Sequence, residues 1–249
     1  VKVASGGTKS ATADGTVPVV EAAGVKFKWR RQDQFELSIP AFRIEPRERV
    51  LMIGPSGSGK STFLSLLCGI AVPDAGEIRI MGTSLTSIPG SQRDRFRADH
   101  LGIIFQMFNL VPYLSCLENV LLPLGFAPKR NERAGGREGS AAEAKRLLAR
   151  LGLDPEIFAN QPASRMSVGQ QQRVASARAL IGRPDLIIAD EPTSSLDRDT
   201  QLAFVGLLQE EVAAAGSALL MVSHDVSLAP MFDRVVPLKD ITRAVAEAA

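Results

Sequence analysis

The sequence predicts an α/β protein with a mostly parallel sheet, and three observations carry that expectation. Four apolar runs, "RVLMIG" (49–54), "LGIIFQ" (101–106), "DLIIAD" (185–190) and "ALLMVSH" (218–224), read as strands buried on both faces. Each is followed by a helical or capped segment, the alternation of a sheet covered by helices on both sides. Between the second and third runs nearly eighty residues hold no convincing strand, so a helical lobe is expected there.

Taken in order, residues 1–20 are rich in Gly, Ser, Thr and Ala and read as a flexible tail; they lack the apolar core of a secretory signal. The runs "VKFKW" (25–29), "FELSIPAFRI" (35–44) and "EIRIMG" (77–82) alternate or are β-branched, which predicts a small antiparallel β subdomain around the first parallel strand. "SCLENVLLPLGF", "GSAAEAKRLLARLGL" and "SVGQQQRVASARALIG" read as helices of an inserted subdomain at about 107–182. "APKRNERAGGREGS" (127–140) reads as a solvated loop between them. Its arginines are a poor nucleic-acid patch, because Glu132 and Glu138 interleave and no aromatic is present to stack bases.

Composition removes several classes of function. With 249 residues the chain is long enough to bury a substantial core, and a net charge of +2 does not point to nucleic acid or to a membrane surface. Cys68 and Cys116 have neither C-x-x-C spacing nor a histidine cluster, so neither a disulfide framework nor a zinc site is indicated, and a reducing compartment fits. The longest apolar stretches, such as "VLLPLGFAP" (120–128), are about half the ~20 residues of a spanning helix.

"GPSGSGKS" (54–61) fills every position of G-x-x-x-x-G-K-[ST], between a predicted strand and a predicted helix. Glycines let successive N–H groups turn inward on an anion, the helix N-terminus adds partial positive charge, and Lys60 reaches the β- and γ-phosphates of a nucleotide. Ser61 is placed to ligate Mg²⁺ and Thr62 to add a phosphate contact. The chain is therefore expected to have a P-loop nucleoside-triphosphatase core. A metal beside phosphates needs hard oxygen ligands from a neighbouring strand end, and "DLIIADEP" supplies Asp190 for the metal and Glu191 to polarise an attacking water. In "RMSVGQQQRVASARAL" (165–180), Ser167 with Gln170 fits a capping box. The same helix N-terminus, with Gly169 allowing close approach, is suited to an anion, while Arg173 and Arg178 behind it serve solubility or pairing.

With those residues on the page, the chain resembles the ATP-binding subunit of ABC transporters from about residue 23 to 240. "MSVGQ" (166–170) is similar to that family's L-S-G-G-Q signature, with Met166 for Leu and Val168 for the first Gly. Val tolerates positive φ poorly, whereas Ser167 and Gly169 retain the donors the family uses. The resemblance implies that Gln106 is the Q-loop glutamine, joining core and helical lobe and touching metal or water. It makes Asp197 of "SSLD" (194–197) the D-loop aspartate, supporting a dimer contact, and His224 the switch histidine that orients Glu191. It also places Trp29 where an aromatic stacks on adenine; a core or surface-strand aromatic is the alternative.

On this reading the nucleotide contacts are Trp29, Gly54, Pro55, Ser56, Gly57, Ser58, Gly59, Lys60, Ser61 and Thr62, with Ser167, Gly169, Gln170 and Asp197. Ser61, Gln106 and Asp190 hold Mg²⁺, and Glu191, His224, Gln106 and Lys60 are catalytic. The implied protein is an ATPase of residues 21–249 that pairs head-to-tail with a second copy around two Mg-ATP. It would sit at the cytoplasmic face of the inner membrane, driving separate transmembrane permease subunits, with no nucleic-acid partner. The segment "FQMFNLVPYLSCLENVLLPL" (105–124) resembles the branch that energises lipoprotein release, macrolide efflux and mechanotransmission. An amino-acid importer ATPase and a non-transport ATPase driving a cell-wall or nucleic-acid partner are the alternatives.

Overall fold

The computed structural model describes residues 16–29, 36–55, 57–194 and 196–242. Residues 1–15 of the expected tail lie outside these, as does Ser56. In chain order the elements are β1 (Val20–Lys28), β2 (Glu36–Ile44), β3 (Arg49–Ile53), α1 (Lys60–Leu67), β4 (Ala75–Ile80), β5 (Thr83–Ser84) and α2 (Gly90–His100). Next come β6 (Leu101–Ile104), α3 (Cys116–Leu121), α4 (Pro128–Arg133), α5 (Gly136–Arg150), α6 (Pro155–Phe158) and α7 (Val168–Leu180). The last are β7 (Leu186–Asp190), α8 (Arg198–Ala215), β8 (Ala218–Ser223), β9 (Arg234–Pro237) and α9 (Leu238–Ile241). The described residues form two compact units, one running up to Arg93 and resuming at Val222, the other Asp94–Met221.

In the first unit β2, β1, β4 and β5 form an antiparallel sheet in that order. The period-2 pattern of β2 buries Leu37 and Ile39, shifts across exposed Pro40 and Ala41, and resumes at Phe42 and Ile44. Phe42 meets Phe63 of α1 edge-on, with centroids 5.2 Å apart. The chain is anchored from Val19, which is buried and donates its N–H to Ile44 O. Val50, Leu51 and Met52 of β3 are all buried, and β3 pairs in parallel with β9, a strand the sequence reading missed. At only four residues, "RVVP" is too short to show a period.

In the second unit β6 and β7 run parallel, Leu101 opposite Leu186 through Ile104 opposite Ala189, with β8 on the far side of β7. Helices α3, α5 and α7 pack on one another, and α7 lies on β6. The approach is so close that a Cβ on Gly102 would sit 2.2 Å from Ala179 O. Two arginines of α5, Arg146 and Arg150, hold the buried carboxylate of Glu211 on α8 at 2.9 and 2.8 Å.

The structure corrects the solvated-loop expectation for residues 127–140. Pro128 opens α4 at a position where its missing N–H is harmless, left-handed Gly135 ends it, and α5 starts at once. Arg130 is buried, donating to the carbonyls of Ala98, Leu101, Arg178, Ala179 and Ile181. Burial pulls its pKa down to about 10, so it stays protonated at neutral pH. Composition could not reveal this: glycine and charge usually mark solvent, and here they mark a tight helix junction and a buried clamp.

Candidate nucleotide-binding site

In the first unit β3 runs straight into the glycine-rich loop. A Cβ on Gly54 would lie 2.9 Å from Ser58 Oγ, so the loop folds over a position only glycine fills comfortably. Gly57 (φ 78°) and Gly59 (φ 98°) are left-handed, and Gly59 starts α1 without a side-chain cap. Lys60 Nζ curls back into the loop, donating to Gly54 O at 2.6 Å and Pro55 O at 3.1 Å, and the residue is 8% exposed. Ser58 Oγ is buried with no hydrogen-bond partner among the described residues. An ammonium held inside an uncapped helix start, beside an orphaned hydroxyl, is a donor set that fits phosphate.

Trp29 follows β1 and donates its indole N–H to Thr62 Oγ1 at 3.2 Å, with Phe27 edge-on at 4.9 Å. It is 40% exposed and lies against the helix that begins in the glycine-rich loop, so the core alternative falls. Ser61 is exposed, and its carbonyl accepts from Ser65 Oγ. His224 follows directly after β8 and is exposed.

In the second unit the parallel register brings Gln106, Asp190 and Glu191 out of the sheet at one edge, the carboxyl edge where such sheets bind ligands. Asp190 is the last residue of β7, and Glu191 takes φ 47°, left-handed backbone that is costly for a side chain of this kind. The loop beyond is pinned by Gln201 Nε2 donating to buried Thr193 Oγ1 at 2.9 Å. Asp197 caps α8, accepting from Thr200 N–H at 3.0 Å, and that backbone hydrogen bond holds its carboxyl below the usual range. Asp185, just before β7, instead bonds His100 Nδ1 at 2.6 Å.

The capping box at α7 is present in full. Ser167 N–H donates to Gln170 Oε1 at 2.9 Å, and Gln170 N–H donates to Ser167 Oγ at 3.3 Å. Val168 is the first helical residue and is absent from the positive-φ positions, so the valine costs the backbone nothing. Met166 is buried, with the Cys116 thiol against its sulfur. A Cβ on Gly169 would meet only Leu196 Cδ2, at 4.0 Å. Nothing among the described residues requires a glycine there.

The sequence reading missed one contact beside Gln106. Arg178, taken there as a solubility or pairing residue, donates to the carbonyls of Phe108 and Asn109, just beyond Gln106. No local sequence signal reports such a contact, because its acceptors are backbone atoms about seventy residues away.

A strand feeding a glycine-rich loop and an uncapped helix, in a chain whose parallel strands lead out to Gln106, Asp190 and Glu191, defines a P-loop nucleotide-binding protein of the α/β class. Residues 37–194 match the ABC transporter family, and the chain belongs to it. A relative named lipoprotein-releasing system ATP-binding protein LolD 2, from Rhodospirillum rubrum, is 39% identical over 90% of this chain and 95% of its own. A macrolide export ATP-binding/permease protein, MacB from Syntrophobacter fumaroxidans, is 38% identical over 82% of this chain but only 28% of its own length. The solved dimer of the ATP-binding cassette MJ0796, in a post-hydrolysis state with ADP and Pi, shares 34% identity over 89% of this chain and 94% of that one, with a TM-score of 0.76. The chain is thus an ATP-binding, ATP-hydrolysing cassette, similar to the lipoprotein-release and macrolide-efflux branch as expected. Among the described residues no helix is long and apolar enough to cross a membrane.

Proposed function

We propose that two copies of this cassette pair head-to-tail around two Mg-ATP, each lending its α7 N-terminus to the P-loop of the other, and so drive separate membrane subunits in export, lipoprotein release or mechanotransmission. Gly169 is the observation that carries the reading. The described residues leave room for a side chain, and in the first turn of a helix alanine is the better residue, so a bare backbone here supports close approach by another molecule. The cassette has 107–182 as its helical subdomain and begins at Val19 and Val20 rather than at 21, since both are buried and Val20 opens β1.

Lys60 and the N–H groups of Gly57 and Gly59 hold the β- and γ-phosphates, Thr62 stands beside them, and Trp29 offers its ring to adenine. Ser61, Gln106 and Asp190 are the oxygen ligands for magnesium, a hard-ligand set that suits it. Bound magnesium supplies positive charge to the phosphate oxygens. Glu191 accepts a proton as water oxygen attacks the γ-phosphorus, the bond to the bridging oxygen breaks, and ADP and phosphate are formed. His224 orients Glu191, and Asp197 supports the contact between copies. A membrane subunit's cytoplasmic segment would dock in the open groove of the second unit, about 810 Å³, lined by Arg95, Phe105, Asn109, Pro123, Phe126 and Arg178. The exposed rings of Phe126 and Tyr113, at 71% and 80%, suit a covering partner. Such docking would hold the cassette at the cytoplasmic face of the membrane.

The test is Glu191→Gln, which keeps the side chain's shape and removes the base. Hydrolysis is expected to fall about 10²–10⁴-fold, and light scattering should show a dimer with ATP and a monomer with ADP. Turnover at the wild-type rate would overturn Glu191 as base. A monomer with ATP, in the presence of the membrane subunit as well as alone, would overturn the paired site.

A further inference from the structure

We infer that Arg178 is a positioning residue for Gln106, holding the turn that carries it from the far end of the signature helix. The inference rests on the proposed role of Gln106. After β6 the chain makes a tight turn in which Phe108 N–H donates to Phe105 O at 2.9 Å, with Gln106 inside it. Two consecutive residues then take left-handed backbone, Phe108 at φ 57° and Asn109 at φ 49°. Asparagine tolerates that region; phenylalanine does so poorly, and such strain persists only where surroundings impose it.

Arg178 is what imposes it. From the last turn of α7 its Nη2 donates to Phe108 O and its Nη1 to Asn109 O at 2.7 Å, so one planar fork takes the carbonyls of both left-handed residues. The anchor is itself braced, because Arg130 Nη2 donates to Arg178 O at 3.1 Å. Burial of the Phe108 ring adds a second fixed point. A turn needed only for chain reversal would place glycine at 108 or 109 and require no arginine. The arrangement instead ties the Gln106 turn to a rigid helix whose first turn is Ser167–Gln170, so a displacement at either end is felt at the other.

A double-mutant cycle tests this. Arg178→Met in the full chain should lower kcat about 3- to 30-fold, the span for a residue coupled through a network, with ATP affinity changed much less. If Arg178 acts through Gln106, the double variant Gln106→Ala/Arg178→Met should turn over at the rate of Gln106→Ala, within about twofold, since there is no glutamine left to position. Multiplying defects would overturn the proposal in favour of a purely structural arginine. Gln106→Ala at the wild-type rate would instead overturn the reading of Gln106 on which it rests. Should Arg178→Met fail to fold, Arg178→Lys with and without Asn109→Gly decides. Glycine at a left-handed position needs less holding, so it should restore most of the lost kcat, and no restoration would overturn the proposal.

Discussion

Of the glycine-bearing helix starts among the described residues, those of α1 and α7 are built in opposite ways. At α1 no side chain caps the helix, Gly59 is left-handed, and Lys60 is drawn into the loop by Gly54 O and Pro55 O. At α7 Ser167 and Gln170 cap each other reciprocally, the backbone is ordinary, and Gly169 is strained by nothing. The first start is organised by its own chain, so its glycines are conformational necessities. The second is already satisfied as a helix, and its glycine only clears space. The start at α1 shows left-handed backbone and an orphaned hydroxyl, whereas the start at α7 shows a stable element with open space beside its glycine.

The largest expected effect breaks the first start. Lys60→Ala should reduce ATP turnover by about 10²–10³-fold or more, the scale of losing one preorganised charge donor, and weaken nucleotide binding measured by equilibrium dialysis. Turnover near wild type would remove the phosphate assignment. The sharpest contrast is between the two glycines. Gly169→Ala should raise thermal stability, by about 0.5–1 kcal/mol from helix propensity, while lowering ATPase activity about tenfold by crowding the approaching partner. Gly59→Ala should lower stability by about 1–2 kcal/mol, because φ 98° is denied to a Cβ. If both glycines behave alike in calorimetry, the distinction between the two starts is lost.

Ser167→Ala should destabilise the chain by about 0.5–2 kcal/mol through loss of the cap, seen as a lower denaturant midpoint. An unchanged midpoint would mean Gln170 alone holds the first turn. The smallest effect is expected for Trp29→Ala: a folded protein binding ATP about fivefold more weakly, for a stacking contact of ~1 kcal/mol. Unchanged affinity would return Trp29 to packing against Phe27 and Thr62.

Much of this was legible in the amino-acid order because it is local. The runs "RVLMIG", "LGIIFQ", "DLIIAD" and "ALLMVSH" became β3, β6, β7 and β8, since strands buried on both faces must be apolar at successive positions. The capping box at Ser167 and the glycine-rich turn of the P-loop were readable for the same reason, as each is settled within a few residues. The misreadings were non-local. Residues 127–140 were misjudged because Arg130 is stabilised by carbonyls as distant as Ile181, and β9, too short to show a period, is recognisable only by its pairing with β3. The worry over Val168 dissolved once α7 was found to start there, with ordinary helical backbone.

By itself, then, the sequence determined the chemistry: a phosphate loop with its lysine, acids at a strand end, a capped helix with a spare glycine, and an alternation that makes the chain α/β. These follow from side-chain type and from spacing within a turn or a strand, where the backbone leaves few choices. Only the tertiary structure decided that Trp29 lies on Thr62, that Arg130 is a buried clamp, and that Arg178 reaches the turn after Gln106. The acceptors in these contacts are a hydroxyl and backbone carbonyls brought up from distant segments. A backbone carbonyl is the same atom in every residue, so no pattern of letters can say which one a distant arginine will find.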